Sequence, residues 1–170
     1  RGVHFCKTCL QKFPQQLYQS HINNLAGPGF NIFFSINFED KSPIAELIHR
    51  FKYNGAKEIG EILGTLLNNT FTRPTFLVPV PLHRRRLNSR GFNQSLILAQ
   101  QLARKWDLPV SDILQRHRYT KPQVELNGLE RLTNVTDAFS MKNPAQRLPP
   151  EISYILIDDV CTTGATLGEC

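Results

Sequence analysis

The segment YILIDDVCTTGAT, Tyr154 to Thr166, restricts the fold of this chain more than any other stretch. Tyr154 to Ile157 are apolar or aromatic, and ISYILID as a whole is the clearest strand pattern in the sequence. The strand runs into Asp158-Asp159 and then into a turn rich in threonine and glycine that opens a helix. A buried strand feeding a helix through such a turn belongs to an α/β domain with a mostly parallel sheet. Gly164 permits a tight turn and close backbone approach. The first N–H groups of the following helix lack internal partners, and the helix dipole favours an anion there. Thr162, Thr163 and Thr166 add hydroxyl donors.

The rest of the chain fits that class. Ser42 reads as an N-cap with Pro43 at the first helical position, and Ile44, Leu47, Ile48 and Phe51 make one apolar face, stopped at Asn54-Gly55. A second helix carries Ile59, Ile62, Leu63, Leu66 and Leu67. TFLVPVP, Thr75 to Pro81, reads as a buried parallel strand, and residues 93–106 as an amphipathic helix. Further strands are expected around Val110–Leu114 and in DAFSM, with a capping box at Asn127 to Glu130. Residues 1–40 lack clear periodicity apart from a strand candidate in FNIFFSINF, so they form a separate N-terminal segment ahead of an α/β domain over 41–170. The chain opens on Arg1 and stops in ATLGEC, the first turn of a helix, so a longer protein is expected at both ends.

At 170 residues and 41% hydrophobic the chain can bury one real core with a small appendage. No apolar run approaches the roughly 20 residues that span a bilayer, so no membrane insertion is expected. Four unevenly placed cysteines argue against a disulfide scaffold and for a cytoplasmic location. The net charge of +6 suits phosphate-bearing partners, or simply marks a basic protein.

In parallel sheets ligands sit beyond the carboxyl ends of the strands. Two loops of unusual chemistry fall there, DDVCTTGAT and PLHRRRLNSRG. The first lacks the Lys-Ser/Thr of a nucleoside-triphosphate loop and the glycine spacing of a dinucleotide fingerprint. It suits a terminal phosphate monoester, while two acceptor-only carboxylates suit hydroxyl donors or a divalent cation. A ribose 5-phosphate answers both halves; the plain alternative is an acidic pair capping a helix. In the basic loop Arg84, Arg85, Arg86 and Arg90 offer bidentate forks for a pyrophosphate, or form a solvated or nucleic-acid surface. His83 is a ligand or a bystander there.

ILIDDVCTTGAT resembles the 5-phosphoribosyl-1-pyrophosphate (PRPP) motif of the type I phosphoribosyltransferases. Together with ELIHRFKYNGAKEIGEILG, VPVPLHRRRLNSRGFNQS and RYTKPQVELNGLERLTNVTDAF, the chain is similar to the ComF/GntX family of competence-associated phosphoribosyltransferase-like proteins, weakest over residues 14–40. The resemblance implies a phosphoribosyltransferase-like sheet flanked by helices, a PRPP site working with Mg²⁺, and a cytosolic role in DNA uptake. Cys161, Thr162, Thr163, Gly164, Ala165 and Thr166 then hold the phosphate, with Cys161 at a variable, incidental position. Asp158 and Asp159 orient the ribose, and Arg90 with its neighbours stabilises the departing pyrophosphate. The stretch with Arg116, Arg118, Thr120, Gln123 and Arg131 corresponds to a mobile cover over the site. At the front, Cys6 and Cys9 are half of a tetrahedral thiolate set, and the resemblance makes them the second knuckle of a partial zinc ribbon. Free thiols or a redox pair are the alternatives. Two functions stay open: transfer of phosphoribosyl to an unidentified acceptor, or a regulatory module that binds single-stranded DNA. Apart from Phe92 the basic loop carries no aromatic residue to stack a base.

Overall fold

The computed structural model describes residues 18–20, 32–34, 48–52, 74–120, 134–161 and 164–170. The strands are β1 (Tyr18–Ser20), β2 (Ile32–Phe34), β3 (Thr75–Pro79), β4 (Leu114–Arg116), β5 (Phe139–Met141) and β6 (Ser153–Ile157). The helices are α1 (Arg84–Arg90), α2 (Gln94–Trp106) and α3 (Ala165–Glu169), and residues 48–52 are also helical. The second expected helix and the capping box at Asn127 to Glu130 lie outside the described residues.

The centre of the domain is the parallel pair β3–β6, in register from Thr75 opposite Ser153 to Pro79 opposite Ile157. Val110 adds a single parallel bridge to Leu77 on the other edge of β3, flanked by Leu77 N–H to Pro109 O at 2.9 Å and Ser111 N–H to Leu77 O at 2.8 Å. The strand expected at Val110–Leu114 is therefore split. Pro109 has no N–H to extend the ladder, and the chain turns away to enter β4, which pairs antiparallel with β5. β1 and β2 form a separate antiparallel pair, Tyr18 opposite Phe34. The fold is α/β, with a parallel pair against which α2 packs and two further antiparallel pairs.

The amphipathic stripe of α2 explains its position. Leu98, Ala99 and Leu102 are buried against Leu77 of β3 and Ile157 of β6, with Phe51 and Phe92 closing the cluster. A second cluster, Val80, Val135, Ala138, Phe139 and Ala165, packs α3 against the chain around β5.

The basic loop after β3 is mostly helical, which the sequence reading did not anticipate. Arginine is a good helix former, and the stretch is bounded by caps: His83 Nδ1 accepts the Arg85 N–H at 3.2 Å, and Gly91 ends the helix at φ 79°. Gly91 reverses the chain so that Asn93 caps α2 immediately afterwards, accepting the Ser95 N–H at 3.1 Å. A Cβ at Gly91 would meet nothing within 4 Å, so the cost of a side chain is backbone strain alone. Gly91→Ala is expected to lower stability by about 1 kcal/mol in denaturant unfolding.

Candidate functional site

Because β3 and β6 are parallel neighbours, the loops that follow them leave the sheet at the same edge. Val80 N–H donates to Ile157 O at 3.0 Å, so the first residues of the two loops are tied together. Asp158 and Asp159 stand at this point, at the end of the most buried part of the sheet.

The first turn of α2 organises both carboxylates. Asn93 Nδ2 donates to Val80 O at 3.0 Å and locks the helix start onto the end of β3. Ser95 Oγ donates to Asp158 Oδ1 at 2.9 Å, and the same oxygen accepts the Asp159 N–H at 2.9 Å. Gln94, only 1% exposed, receives Arg90 Nη1 on its Oε1 at 3.2 Å and donates its Nε2 to Lys52 O at 3.4 Å. Lys52 in turn places its ammonium 3.1 Å from Asp159 Oδ1. Asp159 Oδ2 is buried and has no hydrogen-bond partner among the described residues.

Electrostatics follow from this packing. Burial of the carboxyl, reinforced by the adjoining Asp159 carboxylate, pushes the Asp158 pKa up to about 7, against the pull of Ser95, the Asp159 N–H and Lys52. A carboxyl with a raised folded-state pKa contributes stability that is present in full below its unfolded value and is lost as pH rises through the folded value. Here that window runs from the ordinary 3.8 to about 7. Asp158→Asn, which cannot ionise, is expected to match the parent in thermal unfolding near pH 4 and to exceed it at pH 8 by on the order of 2 kcal/mol.

The glycine turn behaves as a compact N-terminus. Gly164 has φ 76° and caps α3, with Ala165 buried behind it. A small depression lies among Asp158, Cys161, Gly164, Ala165 and Thr166. Thr162 and Thr163 lie outside the described residues. Partial desolvation and the Asp158 charge raise the Cys161 thiol pKa.

The arginines do not act as one group. Arg90 belongs with Gln94 beside the acidic pair. Arg84 and Arg85 are exposed, and Arg86 donates Nη2 to Thr120 O at 2.8 Å. The cover stretch also divides. Arg116 sits in β4, its guanidinium 4.9 Å from the Phe139 ring centroid and bonded to Thr120 Oγ1, so its place is a strand and not a loop. Burial and the Arg86 guanidinium lower its pKa to about 10, which leaves it charged. Arg118 donates to Asn134 O at 3.0 Å and to Thr136 O. Gln123 and Arg131, like Cys6 and Cys9, lie outside the described residues.

With the site assembled, its relatives can be compared. Competence protein F of Haemophilus influenzae is 35% identical over 137 residues, 75% of this chain and 59% of that protein. DNA utilization protein YhgH of Escherichia coli K12 is 35% identical over 140 residues, again 75% and 59%. Competence protein ComFC of Bacillus subtilis is 33% identical over 127 residues, 72% of this chain and 49% of that protein. This chain belongs to the ComF family. It spans 59% of the length of the first two of these relatives. No family model matches it, and no solved structure does. No helix among the described residues is long and apolar enough to cross a membrane.

Lys52, Asn93, Gln94 and Ser95 of this ComF-family chain were not picked out as site residues from sequence. The signal was nevertheless present, since KYNG and GFNQS both lie within the stretches that carry the family resemblance. Phe92 is 8% exposed and belongs to the core, so it is no stacking residue. The aromatic residue beside the arginines is Tyr119, 46% exposed.

Proposed function

We propose that this protein binds PRPP on a phosphoribosyltransferase-like domain, in the competence or DNA-utilization role for which its relatives are named. The observation that carries the reading is Asp159 Oδ2, a buried carboxylate oxygen without a partner among the described residues, beside a glycine turn at the end of a parallel strand. Buried polar atoms in native proteins are almost always matched, and an unmatched one calls for an explanation. A ribose hydroxyl donating there supplies the partner, a small turn of the carboxylate bringing it to the ligand. Asp158 is held by Ser95 as the second hydroxyl acceptor. Gly164, Ala165 and Thr166, with Thr162 and Thr163, receive the 5-phosphate.

Arg90 is linked to the acidic pair through Gln94 and Lys52, and it takes the leaving-group charge in this reading. Among the described residues no group of three or more His, Cys, Asp or Glu could cage a metal ion. That fits Mg²⁺ carried on the diphosphate of the ligand, where it neutralises charge. Zinc at Cys6 and Cys9 belongs to the same proposal, as does the division into a zinc-ribbon segment over 1–40 and a phosphoribosyltransferase-like domain over 41–170. Transfer of the phosphoribosyl group would pass to a nitrogen acceptor through an oxocarbenium-like transition state.

Isothermal titration of the full chain with PRPP and Mg²⁺ tests the binding. Saturable binding, abolished in Asp158→Asn/Asp159→Asn, is the expected result. A folded parent protein that takes up no PRPP would overturn the reading.

A further inference from the structure

Tyr119 has no part in the PRPP reading, which gives the leaving-group charge to Arg90, yet two other candidate pyrophosphate ligands, Arg85 and Arg86, lie against its ring. The Arg85 guanidinium lies 5.4 Å from the ring centroid and the Arg86 guanidinium 5.7 Å. The His83 imidazole meets the same ring edge-on at 5.3 Å, with the planes inclined by 67°. One bond brings these residues together from 34 positions apart in sequence, Arg86 to Thr120 O, and a local bond from Arg116 to the Thr120 hydroxyl fixes the segment that carries Tyr119. Thr120 itself is 4% exposed and anchors the segment, while Tyr119 keeps 46% of its surface open.

Such a cluster is costly unless something offsets its charge. Among the described residues, neither ion pair found, Lys52–Asp159 and Lys142–Asp112, involves Arg84, Arg85, Arg86, Arg116 or Arg118. After partial desolvation, the guanidiniums of Arg85, Arg116 and Arg86 all push the His83 pKa down, which shows how closely the positive charge is gathered. A group of guanidiniums with no ion-pair partner among the described residues is a receptor for phosphate oxygens. A phosphate alone would need no aromatic residue, and an exposed ring in its midst selects a ligand that is also planar.

We propose that Tyr119, Arg85 and Arg86 form a nucleotide subsite, the ring stacking a nucleobase and the guanidiniums receiving the adjoining phosphate. The ligand chemistry is a base beside a phosphate, whether a free nucleotide or a unit of a single strand. The subsite uses neither residue of the acidic pair and stands whether or not PRPP binds there.

The test uses the full chain and two probes, a fluorescent single-stranded oligodeoxythymidylate and thymidine 5′-monophosphate. Tyr119→Ala is expected to weaken binding of whichever probe binds by roughly tenfold or more, the size of a lost base–aromatic stack, while Tyr119→Phe keeps the parent's affinity. Loss for both probes identifies a free nucleotide as sufficient; loss for the oligonucleotide alone identifies the strand. Arg85→Ala should weaken binding and flatten its salt dependence. As a check independent of any variant's folding, photocrosslinking of an iododeoxyuridine oligonucleotide to the parent protein should label Tyr119. The proposal is overturned if the parent binds neither probe. It also fails if a folded Tyr119→Ala binds as the parent does, or if crosslinks form only elsewhere. PRPP is titrated separately, so failure of that reading is seen on its own.

Discussion

Asp159→Asn is expected to weaken PRPP binding by about tenfold to a hundredfold while the protein stays folded. The carboxylate has one oxygen committed to Lys52 and one buried and unmatched among the described residues, so a sugar hydroxyl would find an acceptor there. Hydrogen bonds to charged groups are worth about 1.5–3 kcal/mol, and the amide forfeits that charge while keeping the shape. Loss of the partner leaves Lys52 less penalised than a deeply buried cation would be, since its side chain is 22% exposed and can take up water. The fold should therefore survive, as circular dichroism and thermal unfolding would report. Calorimetric titration of parent and variant side by side measures the effect. Equal affinities in two folded proteins would remove Asp159 from the site.

The largest effect on stability is expected at Phe51. Its side chain is fully buried, packs at 5.8 Å from the Phe92 ring, and joins the cluster with Leu77, Leu102 and Ile157. Truncating a buried phenylalanine costs about 3–5 kcal/mol through lost transfer energy and the cavity left behind. Phe51→Ala should show that loss in denaturant unfolding. The next residue is Lys52, so the cavity also loosens the helical turn that presents the ammonium to Asp159. Reduced PRPP affinity should accompany the lost stability, whereas Phe51→Leu, with a smaller cavity, should retain most of both. A loss below about 1 kcal/mol for Phe51→Ala would show that the core is not closed as described.

How much of this was legible beforehand depended on whether the signal was local. ISYILID announced its strand by a run of apolar and aromatic residues, and β6 lies there. The helix over 93–106 was read from its amphipathic pattern, and the structure has it at Gln94–Trp106 with Asn93 as its cap. The acidic pair and the glycine turn were recognisable because strand, carboxylates and turn are consecutive in sequence. Other features were less accessible. The basic stretch after β3 carries no apolar stripe, so its helix depended on the caps His83 and Gly91. Arg116, expected in a mobile cover, is in β4 because residues 114–116 find an antiparallel partner in β5, and pairing between distant strands leaves no periodic mark in so short a segment.

The sequence by itself determined the α/β class, the two central strands, and the candidate phosphate turn with its two aspartates. These depend on the chain's own periodicity and on neighbours a few residues apart. Only the tertiary structure decided that Lys52 and Ser95 address Asp159 and Asp158, that Gln94 joins Arg90 to Lys52, and that Tyr119 stands among the arginines. Those contacts join residues brought together by the parallel pairing of β3 with β6 and by the packing of α2 across it. A polar side chain carries no sequence signal for its partner, because the same serine or glutamine is equally suited to water until the fold chooses its surroundings.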